Sequence, residues 1–298
     1  MAEWRLLSAE EAHAEVHSPL YVGAAFAPSG GIINPVKLVD KLARAVKLFE
    51  RTPVTEITGN VLRTPHGEVR ARKIVLATNA YSHHFFPKLL RHFIPLYDYI
   101  LVSEPLTPTQ LEAIGWRNRQ GVTDLRAFFN YYRLTADNRI LWGTSEAVYY
   151  SGNRVDESCD HSEPHYESLR QGFRRHFPQT ADLKFEYAWG GPIASTTRLT
   201  PFFGSLDSGR ILYALGYTGH GIGSTRVAGK ILAHMALARP SELLSLAMVQ
   251  RKPFPYPPEP VRSWAVNAVT RSLRRVDAGG KPNMLLRILD ALGIGFSS

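Results

Sequence analysis

The sequence predicts an α/β domain interrupted by an inserted antiparallel α+β domain. Two short apolar runs, Ile74-Val75-Leu76-Ala77 and Ile211 to Leu215, read as buried strands of the α/β part. Between them, from about Pro95 to Pro192, the texture changes to aromatic-rich strands with a single helix. The resulting division is 1–94 and 205–250 for the two α/β pieces, 95–204 for the inserted domain, and 251–298 for a Pro-rich strap and helical tail.

In the first piece, Gly30-Gly31-Ile32-Ile33 leads to Asn34-Pro35, where a helix is expected to open because Asn caps well and Pro suits the first helical position. Leu38, Leu42, Val46 and Phe49 then supply a stripe at three- and four-residue spacing that is expected to be buried. Strands are expected over 54–57, 61–63 and 73–77, with His66-Gly67 turning the chain. The last strand is expected to be buried on both faces. It ends in Thr78-Asn79-Ala80-Tyr81, a polar turn at the carboxyl end where open α/β sheets bind ligands.

In the inserted block, the runs starting at Pro95, Phe128 and Arg139 read as strands, followed by a helix over 163–177 and a strand over 185–189. The second α/β piece runs from Ile211 into Gly216-Tyr-Thr-Gly-His-Gly-Ile-Gly, then a helix over 224–238 stopped by Pro240. Five prolines between Pro253 and Pro260 form an extended strap, and helices are expected over 264–273 and 284–292.

Composition narrows the function classes. The 298 residues are 44% hydrophobic and 20% charged, ordinary for a globular chain. No run approaches 18 apolar residues, so no spanning helix is expected. Cys159, the single cysteine, makes no internal disulfide, which fits a reducing, cytoplasmic location. The net charge of +9 is scattered, with a local run at Arg271, Arg274 and Arg275 that a solvated helix explains, so nucleic acid is not expected as a partner. His161 and His165 have i,i+4 spacing without the Glu of a zinc motif, and no metal is expected.

The Gly-rich loop 216–223 precedes a helix, an arrangement that brings backbone N–H groups to an anion. Its spacing is not the dinucleotide fingerprint, since Ser224 stands where the third glycine belongs. Alone, it reads equally as a tight turn or a ligand cradle. In context it says more. Gly30-Gly31-Ile-Ile-Asn-Pro, Thr52-Pro53-Val54-Thr55-Glu56-Ile57, Lys73-Ile-Val-Leu-Ala-Thr-Asn-Ala-Tyr, Trp189-Gly-Gly-Pro-Ile-Ala-Ser-Thr-Thr-Arg-Leu-Thr-Pro201 and the 216–223 loop together resemble the D-amino-acid-oxidase-like superfamily of flavoenzymes. The similarity is greatest to the gamma-glutamylputrescine oxidoreductase and sarcosine/glycine oxidase branch and runs from about residue 20 to residue 250.

The resemblance implies a partial FAD/NAD(P)-binding-type domain with an inserted substrate domain, and non-covalent FAD. It implies oxidation of an amine or amino acid by hydride transfer to flavin N5, giving an imine. It places Val54 beside the adenine, Ala77 and Thr78 beside the FAD, and Gly219, His220, Gly221, Ile222 and Gly223 at the pyrimidine edge of the flavin. No GxGxxG turn precedes Gly30, so relative to the family an N-terminal portion of ~150 residues, about one domain, is expected to be absent. A complementary FAD-binding chain or self-association is the partner this implies, alongside a small-molecule amine or amino acid. The alternative is a non-catalytic truncated flavoprotein or interaction subunit without FAD.

Catalytic residues are not assigned from the sequence, but four substrate-site candidates are. Tyr97 and Tyr99 alternate onto one strand face, with Tyr131 or Tyr132 opposite, and form either an aromatic wall for an amine or an aromatic sheet core. Arg198 either binds a substrate carboxylate through its planar fork or is solvated in a loop. Cys159 reads as a free thiol in a polar loop, and His83, His84 and His92 as surface-turn residues.

Overall fold

The structure, a computed structural model, describes residues 4–295. In chain order the elements begin β1 (Arg5–Leu7), α1 (Ala9–Glu15), β2 (Ala24–Phe26), α2 (Pro35–Ala43), β3 (Glu56–Thr58), β4 (Val61–Thr64), β5 (Gly67–Arg70) and β6 (Ile74–Leu76). There follow β7 (Ile94–Ser103), α3 (Pro108–Ile114), β8 (Val122–Thr123), β9 (Asn130–Leu134), β10 (Ile140–Thr144), α4 (Glu163–His176) and β11 (Phe185–Ser195). The last are β12 (Phe202–Leu206), β13 (Ile211–Leu215), α5 (Gly221–Leu237), α6 (Ala247–Gln250), α7 (Val261–Asp277) and α8 (Met284–Ala291). The chain divides into two compact units whose limits differ from the four segments read from the sequence.

The first unit comprises Met1–Asn34, Tyr97–Val148 and Asp156–Gly191. Its sheet has the order β11-β7-β10-β9-β8. Tyr132 pairs with Trp142 across β9 and β10, and their rings stack at 4.6 Å. The amphipathic α4 lays Tyr166, Leu169 and Phe173 on this face, with Phe173 edge-on to Trp142 at 5.6 Å. Strand alternation does the sorting: Tyr97, Tyr99 and Leu101 of β7 are buried, while Asp98 and Ile100 point to the other side. The N-terminal segment belongs to this unit because it is bonded into it. His17 N–H donates to the Ile114 carbonyl (2.7 Å), the Tyr21 and Tyr132 hydroxyls meet, and Arg133 donates to the Ile33 carbonyl (2.6 Å). A Thr107–Gln110 capping box opens α3, a helix not read from the sequence.

The second unit comprises Pro35–Leu96, Tyr149–Val155 and Pro192–Ser298. Its main sheet is β12-β13-β6, with β13 antiparallel to β12 and parallel to β6. α5 covers one face through Ala228, Ile231 and Leu232 against Phe203, Leu212 and Ala214. On the other face Ile74, Leu76, Ile211, Tyr213 and Leu215 pack with Leu89, Phe93 and Phe202. A separate meander β3-β4-β5 packs Ile57 and Leu62 against that core, and its β5, which starts at the expected His66-Gly67 turn, was not read from the sequence.

Two burial expectations fail here. β6 is not buried on both faces, because Val75 is 47% exposed between buried Ile74 and Leu76. Val75 pairs in register with Leu212 on the α5 face, but β6 is the edge strand among the described residues and Val75 lies outside the cluster that α5 covers. α2 opens at Pro35 as expected but buries nothing: Leu42, Val46 and Phe49 are 61%, 64% and 65% exposed, and Leu38 is 37% exposed. α2 ends at Ala43, so Val46 and Phe49 lie beyond the helix and the expected period holds only for Leu38 and Leu42, whose covering layer is not supplied by the described residues.

These differences have measurable consequences. Trp142→Ala is expected to lower stability by about 3–5 kcal/mol, since it empties a closely packed site, whereas Leu42→Ala should change it by less than about 0.5 kcal/mol. Urea unfolding followed by far-UV circular dichroism checks both values. A large loss at Leu42 would mean that α2 is packed after all.

Candidate functional site

In the second unit, the parallel pairing of Tyr213 with Leu76 brings the carboxyl ends of β13 and β6 to one side. The turns that follow are tied together by Asn79, whose Oδ1 accepts the Gly216 N–H at 3.1 Å. Gly216 has φ +81°, and a Cβ there would lie 2.3 Å from Thr196 Cγ2, so only glycine lets the chain leave β13 in this direction. The Thr218 N–H donates to the Ala194 carbonyl (3.0 Å) and the Thr218 hydroxyl accepts the Thr196 N–H (3.3 Å). The loop is thereby fixed before the helix begins.

The helix begins at Gly221, three residues before the expected Ser224, so Gly221, Ile222 and Gly223 form its first turn. No side chain caps it and no acidic residue lies in that turn. Side chains built at Gly219 or Gly223 would meet no atom within 4 Å, and at Gly221 the nearest is Tyr217 Cβ at 3.9 Å. Free N–H groups, the positive helix end and open approach together suit an anionic oxygen of a ligand. His220 is exposed beside them, and Ala77 and Thr78 are exposed at the end of β6. The structure thus gathers seven of the eight predicted cofactor residues around two adjoining turns. Val54 lies elsewhere, just outside the meander, whose pairing starts with the Thr55 N–H on the Arg63 carbonyl (2.8 Å).

The substrate candidates fare differently. Arg198 donates to the carbonyls of Arg251 (2.8 Å), Pro201 (3.0 Å) and Met248 (2.9 Å). Its fork is committed to backbone, and it clamps the 248–251 segment instead of facing a ligand. Tyr97, Tyr99 and Tyr132 are core residues of the first unit. The Tyr97 and Tyr99 hydroxyls donate to the carbonyls of Asp156 (3.1 Å) and Cys159 (2.7 Å). Cys159 is itself buried, not in an open polar loop. His165 stacks on Tyr99 at 5.0 Å, and His92 Nδ1 lies 3.1 Å from the Pro253 carbonyl. Among the described residues, no group of three or more His, Cys, Asp or Glu is arranged to hold a metal, and no helix is long and apolar enough to cross a membrane.

Sequence reasoning missed the polar pair on the opposite face of the first unit's sheet. The Tyr131 hydroxyl donates to Asp98 Oδ2 at 2.5 Å, and Oδ1 is buried without a hydrogen-bond partner. Burial pushes the Asp98 carboxyl up to about 6, against the opposing pull of the Tyr131 hydroxyl and the Tyr99 amide. Burial and the neighbouring carboxylate raise the Tyr131 hydroxyl. The available signal was Tyr97-Asp98-Tyr99: if the tyrosines face the core, the acid between them faces away.

With this geometry in hand, the comparisons fix the family. The family described as FAD dependent oxidoreductase (DAO) matches residues 1–235. The chain belongs to that family. It is 32% identical over 259 residues to gamma-glutamylputrescine oxidoreductase of Escherichia coli, covering 84% of this chain and 58% of that protein. It is 33% identical over 234 residues to the probable oxidoreductase OrdL of Haemophilus influenzae, covering 74% and 51% respectively. The chain therefore spans between half and three-fifths of the length of these relatives. Among solved structures, L-proline dehydrogenase from P. horikoshii superposes with a TM-score of 0.68 at 19% identity, covering 80% of this chain and 66% of that one. Glycine oxidase from Geobacillus kaustophilus gives 0.65 at 18% identity, covering 84% and 68%. These two show the fold.

Two tests follow from the local chemistry. A carboxyl whose folded-state pKa lies near 6 instead of 3.8 binds protons more tightly folded than unfolded, so its contribution is present below pH 4 and lost as pH rises through 6. Asp98→Asn should remove that loss, gaining on the order of 3 kcal/mol over the parent at pH 7.5 and little at pH 4; denaturant unfolding at both values decides. Separately, Gly223→Ala should stabilise the chain by up to about 1 kcal/mol through helix propensity. Gly216→Ala should instead destabilise it by roughly 1–3 kcal/mol, because positive φ and the Thr196 contact both oppose it. Thermal unfolding of the pair measures the contrast.

Proposed function

We propose that this chain forms the flavin-edge and substrate-domain parts of an FAD-dependent amine or amino-acid oxidoreductase. The observation that carries the reading is the uncapped first turn of α5, set beside Ala77 and Thr78 at the carboxyl ends of a parallel strand pair. FAD, when bound, supplies the two-electron acceptor, with N5 taking hydride from the carbon that bears the amine so that an imine results. The N–H groups of Gly221, Ile222 and Gly223 would donate to the carbonyl at the flavin's pyrimidine edge, where the reduced ring gathers negative charge. The helix dipole adds a fixed positive potential there without reorganisation. Ala77 and Thr78 carry small side chains that let the ring system approach the end of β6. His220, flanked by glycines and exposed, would lie next to the same edge.

The unpartnered edge of β6, exposed Val75 and the bare apolar stripe of α2 favour completion by further polypeptide. The occupant best suited is a βαβ segment bearing GxGxxG, which adds a parallel strand beside β6 and holds the FAD pyrophosphate. Self-association of the chain through the same surfaces competes with it.

Flavin absorbance and fluorescence titrations test both parts. The chain alone should bind FAD only at micromolar concentrations or weaker, and co-expression with a GxGxxG-bearing segment of a relative should tighten binding at least about tenfold. Gly221→Val should abolish binding while leaving far-UV circular dichroism unchanged, since its side chain blocks approach to the N–H groups. A folded, colourless protein that ignores FAD with or without the added segment would favour the non-catalytic reading.

A further inference from the structure

The first unit holds a charged group that neither its aromatic core nor the flavin-edge turns use. Asp98 leaves β7 on the face opposite Tyr97 and Tyr99. Tyr131 comes from β9, two strands away across β10. It reaches Asp98 because the intervening position is Gly143, paired in register with Tyr131 on one side and Ile100 on the other. A Cβ at Gly143 would fall 2.4 Å from Tyr131 Cζ and 2.6 Å from its hydroxyl oxygen, so the ring lies directly on the β10 backbone. The strand pattern therefore builds the Asp98–Tyr131 contact, and it is not a chance meeting of surface side chains.

The polarity of the pair is one-sided. The Tyr131 proton is directed into Asp98 Oδ2, which leaves the phenol oxygen with lone pairs only. Asp98 Oδ1 is buried and finds no donor, and Asp98 forms no ion pair among the described residues. Arg133, on the same strand and face as Tyr131, is turned to the Ile33 carbonyl. A buried carboxylate oxygen without a donor is costly, and the cost is relieved by a cation that also donates hydrogen bonds. Asp98 and Tyr131 are each partly exposed as residues, while the Asp98 Oδ1 atom itself is buried. A carboxylate ligand would meet like charge and no donor.

We propose that Asp98 and Tyr131 recognise the protonated amino group of the substrate, which makes an alkylammonium end, not a carboxylate, the feature selected by the first unit. This rests on the amine-oxidoreductase reading and names the substrate class within it. Tyr131 accepts an N–H hydrogen bond from the ammonium, and Asp98 supplies the countercharge while holding the phenol in its accepting orientation. Gly143 is a positioning residue that acts through Tyr131.

The probes are n-butylammonium and butyrate, which share a chain and differ in the sign of the head group. Saturation-transfer NMR on the full chain should show saturable binding of butylammonium and none of butyrate. Asp98→Asn keeps the shape and an acceptor for Tyr131 but removes the charge, and Tyr131→Phe keeps the ring but removes the acceptor. Each should weaken butylammonium binding at least tenfold with unchanged circular dichroism. Asp98→Asn is expected to fold at least as stably as the parent at neutral pH, and Tyr131→Phe gives an independent second readout. Absence of butylammonium binding to the parent, equal binding of butyrate, or undiminished binding in the folded variants overturns the proposal. Because these measurements need no flavin, loss of FAD binding in the separate titration would sink the oxidoreductase reading and leave the ammonium result standing or falling by itself.

Discussion

The first unit depends on the alternation of side chains along β7. Its inward residues, Tyr97, Tyr99 and Leu101, are fully buried; Leu101 pairs in register with Trp142, and Tyr99 meets Tyr166 of α4 edge-on. Full burial of a large apolar side chain contributes roughly 1.5–3 kcal/mol, so this cluster outweighs any single polar liability on the sheet. The same alternation commits Asp98 to the opposite face, and the Gly143 gap lets Tyr131 cross to it. A one-residue slip of β7 would place the acid in the aromatic core and the tyrosines in the open, which is why register here is strongly specified. Core and polar pair are two outcomes of one constraint.

In the second unit the organising feature is a single parallel strand pair. Parallel neighbours require a long crossover, and here everything from residue 77 to residue 210 lies between them. That connection delivers two turns to one end of the sheet, and Asn79 locks them by accepting the Gly216 N–H. What the three-stranded sheet does not do is cover both of its edges and all of its faces. Leu38 and Leu42 on α2 and Val75 on β6 are apolar yet exposed among the described residues.

Much of this was legible in the sequence because periodicity reports which residues share a face. The strands over 94–103, 130–134 and 140–144, the helix over 163–176, and the β13-loop-α5 passage all follow from it. Periodicity does not report whether the partner surface exists, so the α2 stripe and Val75 were read as buried. Boundaries failed where chemistry was ambiguous: glycines at 221 and 223 looked like loop, yet they open the helix. Arg198 illustrates a different limit. An arginine near a motif invites a carboxylate, but backbone carbonyls at 248, 201 and 251 satisfy its fork equally well, and only the fold brings those carbonyls to it. Asp98 was hidden in plain view, since its role depends on Gly143, a residue with no side chain to notice.

The two polar arrangements are opposite in sign, and that opposition bears on the chemistry. The first turn of α5 offers donors and positive potential without an acidic neighbour. The Asp98–Tyr131 pair offers acceptors and negative charge without a cation. In the proposed reaction an amine that arrives as a cation gives up a proton as well as hydride while the acceptor ends electron-rich, so sites of both polarities would serve it. An exposed helix end can be satisfied by water, whereas a buried carboxylate oxygen left without a donor lowers stability until something donates to it. On the proposed reading, the first unit would serve the cationic amine and the second the electron-rich edge of the flavin.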